Sequence, residues 1–453
     1  MPVSFRRLVP PTLHDAAVLS GLGVRRLLPQ AFLTGLVSGA VIGVFRMAYD
    51  KLCALSLAAL ALGVPGPAKA ACVAGALALL AFLAWLALRL EPLVSGSGIP
   101  QVELMTRGKC SLRWWRVLPC KFFGTLASLA GGLAVGREGP CVMMGAMVGA
   151  GVGGFWHANG PHNLPRFLVG GGVAGMTAAF SAPLAGLCFA VEEMRTALAA
   201  PMLIFTGTCA LTAWAVVDLL LGLGLVFPFG AAPLPPWPLW WLAPVLGCLM
   251  GGAGALHNRL LLGLTCWEDR RRWPQWARVG APFALAFGLL HLYPDVLGGV
   301  GLGVLRLESL PLPLGGLLLL LLARLAWSCV SFASGVSGGI LMPLLLLGAL
   351  GGACLASGLE MGGVATAGQS GAWLTLGMAG MFAGAVRAPL TASALLLEMT
   401  GAFHLAPLVL LCAFAANATA NFLRVPPVYD SLRGRCLAQA RRAVPAAGEA
   451  PPP

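Results

Sequence analysis

An acidic side chain within an otherwise apolar stretch is the feature of this sequence best suited to chemistry. Glu138 lies in the run Gly136-Arg137-Glu138-Gly139-Pro140, inside the apolar region 122–154, and the nearest other charge outside the run is Lys121 at its edge. An ionisable group at membrane depth costs about 2.5–3.5 kcal/mol on insertion scales and marks a functional site. Glycine and proline interrupt regular helix here. A carboxylate at a helix break indicates an ion site.

The elements that must position this carboxylate are transmembrane helices. The chain has 453 residues, of which 58% are hydrophobic and only 10% charged, whereas soluble domains carry about 25% charged residues. Hydrocarbon tolerates only helices and closed barrels. Because the apolar runs are continuous and do not alternate, a barrel is excluded. The sequence therefore predicts an all-α polytopic membrane protein.

The basic residues predict the orientation in the membrane. The net charge is +13, and short basic loops remain in the cytoplasm. We therefore place both termini in the cytoplasm and the protein in the inner (plasma) membrane. Nucleic acid is not an expected partner, because the charge lies at segment ends and not on a soluble domain. The basic clusters are Arg6, Arg7, Arg25 and Arg26, then 107–116, 270–272 and 433–442.

Metal binding and enzymatic catalysis are not indicated. The chain contains 13 cysteines and six histidines, but they form neither a CxxC pair nor an HExxH motif, and cysteines in apolar segments usually act as small hydrophobic residues. No nucleophile–base or metal constellation occurs at usable spacing. We therefore expect no cofactor and no enzyme activity.

The number of helices is predicted to exceed the number of apolar segments. Several are too long for a single span, and the 61 glycines and 34 prolines favour close, tilted or broken helices. The segments are 32–62, 70–90, 122–153, 167–192, 202–228, 238–264, 281–297, 312–332, 339–358, 371–386 and 389–423.

An internal repeat divides the chain. Residues 175–194 and 377–399 share a Gly-Met start, an Ala-Pro-Leu element and a Glu-Met end in nearly constant register. Duplicated halves of transporters often have inverted topology, with the substrate site between them near the midplane. We predict a cytoplasmic segment 1–30, a first repeat 31–230, a second repeat 231–436 and a disordered tail 437–453.

Three further motifs accompany the buried glutamate. Gly96-Ser97-Gly98-Ile99-Pro100 follows an apolar span, Gly338-Gly339-Ile340-Leu341-Met342-Pro343 opens another, and Tyr429 follows Pro426-Pro427. Taken singly, Ser97 fits a helix N-cap and Tyr429 fits a residue of the interfacial aromatic belt.

In this order, the motifs GSGIP, GREGP, a GxFxP-like element and a late tyrosine resemble the CLC family of chloride channels and chloride/proton antiporters. The resemblance extends from about residue 30 to residue 436. It implies the CLC fold of two inverted repeats, and a homodimer in the lipid bilayer with one pathway per subunit. Chloride and protons are the implied partners.

The resemblance also implies ligands for chloride. They are the hydroxyls of Ser97 and Tyr429 and the backbone N–H groups of Ile340 and Leu341. This agrees with elementary electrostatics, because helix N-termini present free N–H groups and a partial positive charge. Such ends hold an anion without a full cation, and binding that is not too tight permits release. By the same resemblance, serine at position 97 favours chloride, whereas proline there accompanies nitrate preference.

Two carboxyl groups are implied in proton transfer. Glu138 resembles the gating glutamate, which competes with chloride when ionised and withdraws when protonated, and Glu193 resembles the internal proton glutamate. Carboxyls at both positions favour a secondary active chloride/proton antiporter. A passive voltage- or pH-gated chloride channel on the same fold is the alternative. Glu192 and Gly139 are accessory candidates.

Some residues depart from the family pattern or receive structural interpretations. Leu341 replaces the phenylalanine of the GxFxP element, which leaves the backbone ligand intact but changes the pathway lining. Cys141 receives no role. Four other charged residues are interpreted as buried ion pairs or helix-end snorkels: Lys121, Arg324, Arg387 and Glu398.

Overall fold

The fold is described by a computed structural model that covers residues 21–443, except 62–65, 112, 157–162, 197–198, 223, 230–231, 272, 298–306, 308–311 and 365–367. The helices of the first half are α1 Gly21–Ala61, α2 Gly66–Leu90, α3 Ile99–Thr106, α4 Trp114–Ala130, α5 Glu138–Phe155, α6 Leu164–Phe180, α7 Pro183–Glu192 and α8 Ala200–Leu221. Those of the second half are α9 Leu242–Arg271, α10 Gln275–Leu292, α11 Leu314–Ala333, α12 Leu341–Met361, α13 Ser370–Val386, α14 Pro389–Thr400, α15 Ala406–Phe422 and α16 Val428–Ala443.

The predicted all-α polytopic class is confirmed. Seven helical stretches within the described residues are long and apolar enough to cross a membrane, and others are shorter apolar helices. The sixteen α-helices within the described ranges outnumber the eleven apolar segments, as predicted. The segment 122–153, for example, contains the end of α4 and the start of α5, separated by an irregular stretch at 131–137.

Glycine permits the central helices to approach closely, and both halves use it in the same way. A Cβ atom added to Gly145 of α5 would lie 2.2 Å from the backbone oxygen of Gly171 in α6. In the second half, a Cβ atom on Gly348 of α12 would lie 2.4 Å from the backbone oxygen of Gly377 in α13. The matching contacts agree with the predicted repeat. They also explain why the apolar segments are rich in glycine, since membrane helices associate through small residues.

Two short helices, α7 and α14, exchange carboxylate caps. Glu398 of α14 accepts hydrogen bonds from the backbone N–H groups of Leu184 (3.0 Å) and Ala185 (2.8 Å) at the start of α7. Glu192 at the end of α7 accepts hydrogen bonds from the backbone N–H and the hydroxyl of Thr391 in α14, both at 2.7 Å. A carboxylate stabilises the free N–H groups of a helix start. The reciprocity is expected of two helices related by an approximate twofold axis.

Three of the four charged residues interpreted as buried ion pairs or snorkels contact backbone groups. Glu398 is a helix cap, as described above. Arg387 donates to the backbone oxygen of Val425 (2.8 Å) and to the side chain of Asn421 (3.0 Å). Arg324 donates to the backbone oxygen of Asp295 (2.5 Å). These arginines therefore satisfy carbonyl groups where helices end, which buried polar groups require.

The chain ends are only partly described. Helix α16 continues to Ala443, so the first seven residues of the tail predicted to be disordered, 437–443, are helical. Residues 1–20 of the predicted cytoplasmic segment and residues 444–453 of the predicted tail lie outside the described part. The bounds of the two repeats remain a prediction.

Candidate anion and proton pathway

The loops at Gly96, at Gly136 and at 336–339, which interrupt the helices, are joined by backbone hydrogen bonds. Gly96 donates to Val336 (3.0 Å) and accepts from Gly338 (3.1 Å). Gly136 and Gly339 exchange two N–H to O=C bonds, each of 2.7 Å. Because α3, α5 and α12 begin immediately after these loops, the bonds bring three helix starts together. Free N–H groups and the positive ends of three helix dipoles are thereby concentrated in one buried region.

The Glu138 carboxylate occupies the start of α12. Its Oε1 accepts hydrogen bonds from the backbone N–H groups of Leu341 (2.7 Å) and Met342 (3.2 Å). The side chain is 0% exposed, and among the described residues Oε2 has no hydrogen-bond partner. A helix N-terminus is a natural anion site, and here a carboxylate of the same chain fills it.

The glycines beside Glu138 are required by this close approach. A Cβ atom on Gly136 would lie 2.2 Å from Oε1 of Glu138, and one on Gly339 would lie 2.4 Å from the same atom. Real Cβ atoms do not approach other atoms so closely. The glycines of both motifs therefore make room for an anionic group against the two paired backbone segments.

Ser97 and Tyr429 place two hydroxyl groups in the same region. Ser97 is 2% exposed and Tyr429 is 1% exposed. The two side chains lie close to each other, and among the described residues neither hydroxyl has a well-formed hydrogen bond. A buried polar group without a partner costs about 1–3 kcal/mol. Two such hydroxyls side by side are available as donors to an anion.

Gly139, predicted as an accessory residue, contacts Ser97 directly. A Cβ atom at position 139 would lie 2.0 Å from the Ser97 hydroxyl oxygen and 2.8 Å from the Ser97 backbone oxygen. The absence of a side chain therefore lets the Ser97 hydroxyl lie against the first turn of α5. Ser97 and Glu138 are linked through this turn.

Lys121 and Gln101 hold the loop that carries Ser97. The Lys121 ammonium group donates to the backbone oxygens of Val94 (2.8 Å) and Gly96 (2.6 Å). The Gln101 amide donates to the backbone oxygen of Ser95 (2.9 Å). Lys121 is fully buried, so it does not snorkel, and the hydrogen-bond partners of its ammonium group among the described residues are carbonyl oxygens and not a carboxylate. Its position at the edge of the apolar run was a signal of burial, but only the fold identifies the carbonyl groups that it binds.

Glu193 lies at the end of α7 and is 8% exposed. The charged groups that act on it electrostatically are Glu103, Asp430, Arg195 and Arg433. Both Glu193 and Glu138 act electrostatically on Tyr429. The tyrosine therefore lies within electrostatic range of both predicted proton-transfer carboxyls.

The structure shows which backbone N–H groups at the start of α12 donate to Glu138; the predicted chloride donors Ile340 and Leu341 remain a prediction. Ile340 is buried, but the donors to Glu138 are Leu341 and Met342. Met342 was missed because the motif indicates where a helix begins and not which N–H groups point at the ligand. Glu192, the other accessory candidate, caps α14 as described above. Among the described residues, no group of three or more His, Cys, Asp or Glu side chains could hold a metal ion.

Comparison with known proteins decides the family. A family model described as voltage gated chloride channel matches residues 74–421, more than half of the chain. The chain belongs to this CLC family. The resemblance carried by the sequence motifs is thereby confirmed.

Several relatives of this CLC protein are named as exchangers. The H(+)/Cl(-) exchange transporter ClcA of Cronobacter sakazakii is 34% identical over 450 residues, which cover 94% of each chain. The protein of the same name from Vibrio cholerae is 34% identical over 373 residues, covering 80% of this chain and 78% of the relative.

Solved structures have the same fold as this CLC protein. A slow cyanobacterial Cl-/H+ antiporter superposes with a TM-score of 0.84 at 30% identity, covering 92% of this chain and 99% of the other. A eukaryotic CLC transporter gives a TM-score of 0.75 at 22% identity, covering 90% and 73% of the two chains. The latter likeness concerns the fold alone.

Proposed function

We propose that this protein is a secondary active antiporter that moves chloride across the membrane in exchange for protons. The observation that carries the proposal is the Glu138 carboxylate, which lies on the N–H groups at the start of α12. That position is the outer anion site. The exchange activity named for the relatives supports the same function.

Glu138 couples the two ions by changing its charge. In the ionised form, its carboxylate fills the outer site and excludes chloride. When it takes up a proton, its attraction to the N–H groups weakens, the side chain withdraws and chloride replaces it. Since one site holds either the carboxylate or chloride, each chloride that enters favours a proton on Glu138.

The central chloride site is formed from neutral donors. The hydroxyls of Ser97 and Tyr429 and the backbone N–H groups of Ile340 and Leu341 are the proposed ligands. The positive ends of α3, α5 and α12 supply the favourable potential. Lys121, a buried cation beside this loop, is already bound to two carbonyl oxygens. Neutral ligands hold chloride weakly enough for release, which transport requires.

Glu193 is the proposed proton acceptor on the cytoplasmic side. It lies at the end of α7, among charged groups, whereas Glu138 lies in the apolar interior. Protons pass from Glu193 to Glu138 past Tyr429. Glu192 is an accessory residue, since it fixes the end of α7 by capping α14.

The function is tested by proton movement in liposomes. We expect that an imposed chloride gradient drives protons uphill through the wild-type protein. Glu193→Gln removes the cytoplasmic proton acceptor, so we expect proton transport to fall below detection while chloride flux continues. Thr106→Ser, a mild change at the end of α3, serves as the control. Wild-type chloride flux without any proton movement would instead identify a passive channel.

The choice of anion is tested at Ser97. Ser97→Pro removes the hydroxyl donor, and we expect the ratio of nitrate to chloride flux to rise severalfold. Flux ratios measured in the same liposomes with each anion check this result. A ratio equal to that of the wild type would contradict the assignment of Ser97 as a chloride ligand.

The assembly and location complete the proposal. The protein acts as a homodimer in the lipid bilayer of the inner (plasma) membrane, with one pathway in each subunit and both termini in the cytoplasm. Transport uses chloride and protons without a cofactor. The short arginine-rich loops support this orientation.

A further inference from the structure

A network of ion pairs connects the start of α16, the helix that carries Tyr429, to two neighbouring segments. Asp430 is the next residue along α16. Its two carboxylate oxygens accept hydrogen bonds from the Arg195 guanidinium group, at 2.6 and 2.8 Å. Arg433, one turn further on, also pairs with Asp430 at 3.1 Å. The first turn of α16 is therefore held to the segment that follows α7.

The same network reaches the helix that follows Ser97. Glu103 of α3 is 1% exposed and forms an ion pair with Arg433, with an N–O distance of 2.5 Å. Its second cation is Arg107 at 2.5 Å. The hydrogen bond to Glu103 raises the pKa of Arg433 above its ordinary value, so this arginine remains charged at physiological pH. We call Glu103, Arg195, Asp430 and Arg433 the inner clamp.

The backbone at Arg195 is specialised for this contact. Its φ angle is 52°, in the left-handed region that residues other than glycine seldom adopt. A strained backbone persists when the surrounding structure determines it. The two contacts with Asp430 hold the strained backbone in place, because they fix the direction of the Arg195 guanidinium group. The turn and the ion pair are therefore parts of one arrangement.

Tyr429 depends on its helix for its position. Among the described residues, its hydroxyl has no well-formed hydrogen bond that could hold the ring in place. The ring is nevertheless completely buried beside Ser97. Core packing around the ring and the first turn of α16 therefore place the hydroxyl, and the inner clamp ties this turn to α3 and to the segment after α7.

We propose that the inner clamp is a positioning device for Tyr429. It holds the tyrosine hydroxyl opposite Ser97, so that both hydroxyls reach one anion, and it keeps the cytoplasmic side of that site closed. The clamp residues act through the tyrosine and do not touch the ion. This inference rests on the proposed function, because it takes the Tyr429 and Ser97 hydroxyls as chloride ligands.

The proposal has two measurable consequences. When the clamp is broken, the first turn of α16 is released and the anion loses one aligned donor, so chloride binds more weakly. The cytoplasmic side also opens more often, so chloride passes without its proton. The same four charged groups surround Glu193, and for this reason chloride affinity is the more direct measurement.

Asp430→Asn and Arg195→Gln test the clamp, with Arg435→Gln as the matched control. Arg435 lies on the same helix and forms an ion pair with Asp269 at 2.6 Å, outside the clamp. Chloride affinity is measured by calorimetry on purified protein, and protons moved per chloride are measured in liposomes. For both clamp variants we expect three- to tenfold weaker chloride binding and at least a halved proton-to-chloride ratio. The control stays within twofold of the wild type.

Two additional variants separate positioning from general stability. Asp430→Glu retains the charge and should recover most of the chloride affinity. In a Tyr429→Phe background, Asp430→Asn should weaken chloride binding no further, since the hydroxyl on which the clamp acts is absent. Unchanged affinity in the clamp variants, or an equal loss with and without the tyrosine hydroxyl, would overturn the inference. Failure of the proposed exchange is seen separately, as wild-type protein that moves no protons uphill.

Discussion

Glu138→Gln is expected to abolish proton transport and convert the protein into a passive chloride pathway. The glutamine cannot take up and release a proton, so each chloride crosses without exchange. It also cannot offer the negative oxygen that accepts from Leu341 and Met342. Hydrogen bonds to charged groups contribute about 1.5–3 kcal/mol each. With the carboxylate gone, chloride competes for these donors far more effectively.

The measurement combines proton uptake under a chloride gradient with chloride binding to purified protein. We expect uphill proton movement below detection, a voltage at zero current that follows the chloride gradient alone, and additional bound chloride at the outer site. Glu398→Gln is the matched control, because Glu398 is also a carboxylate at a helix start. It should retain exchange. Proton uptake by the Glu138 variant at the wild-type ratio would rule out this carboxyl as the coupling group.

Gly139→Ala is expected to have the second largest effect, although it adds a single methyl group. The new Cβ atom would lie 2.0 Å from the Ser97 hydroxyl oxygen and 2.8 Å from the Ser97 backbone oxygen. The backbone oxygen cannot rotate away, so the loop must move. Overpacking of this kind costs about 1–3 kcal/mol, and 1.4 kcal/mol corresponds to a factor of ten in affinity. We expect chloride binding and turnover to fall by roughly tenfold.

Calorimetry and chloride flux check this expectation. Gly263→Ala in α9 provides the control, because a Cβ atom there meets no heavy atom within 4 Å. Alanine also favours helix over glycine by about 1 kcal/mol, so the control should bind and transport normally with unchanged or greater thermal stability. If the Gly139 variant matched it in chloride affinity, the close approach of Ser97 to α5 would have no functional role.

The two variants examine different links between structure and transport. Replacing Glu138 removes a charge and leaves the fold of the loops intact. Replacing Gly139 leaves every charge in place and displaces one donor. Loss of coupling in the first and loss of chloride affinity in the second would separate proton transfer from anion binding.

Several features of the site followed from the sequence because they depend on local physics. Glu138 stands out as a charge in an apolar run, and the glycine and proline residues beside it mark a helix start. The order of the motifs around Ser97 and Tyr429 indicated the family, which the matching family model confirmed. These are properties of residue type and spacing.

Other features depend on which segments meet, and the sequence does not determine them locally. Lys121 was predicted to form a buried ion pair or to snorkel at a helix end, but it binds the backbone oxygens of Val94 and Gly96. The reciprocal caps of Glu192 and Glu398 connect residues about 200 positions apart. The pairing of Arg195 with Asp430 crosses 235 positions.

The sequence by itself determined that this chain is a helical membrane protein, that its helices are interrupted, and where acidic and hydroxyl groups lie relative to those interruptions. These results follow from the cost of placing charges and free backbone groups in hydrocarbon. The tertiary structure alone decided that Met342 shares the carboxylate with Leu341, and that Gly136 and Gly339 pair through two hydrogen bonds with the carboxylate against both of them. Contacts of this kind depend on the packing of distant segments to within an ångström, and residue type and spacing leave that packing open.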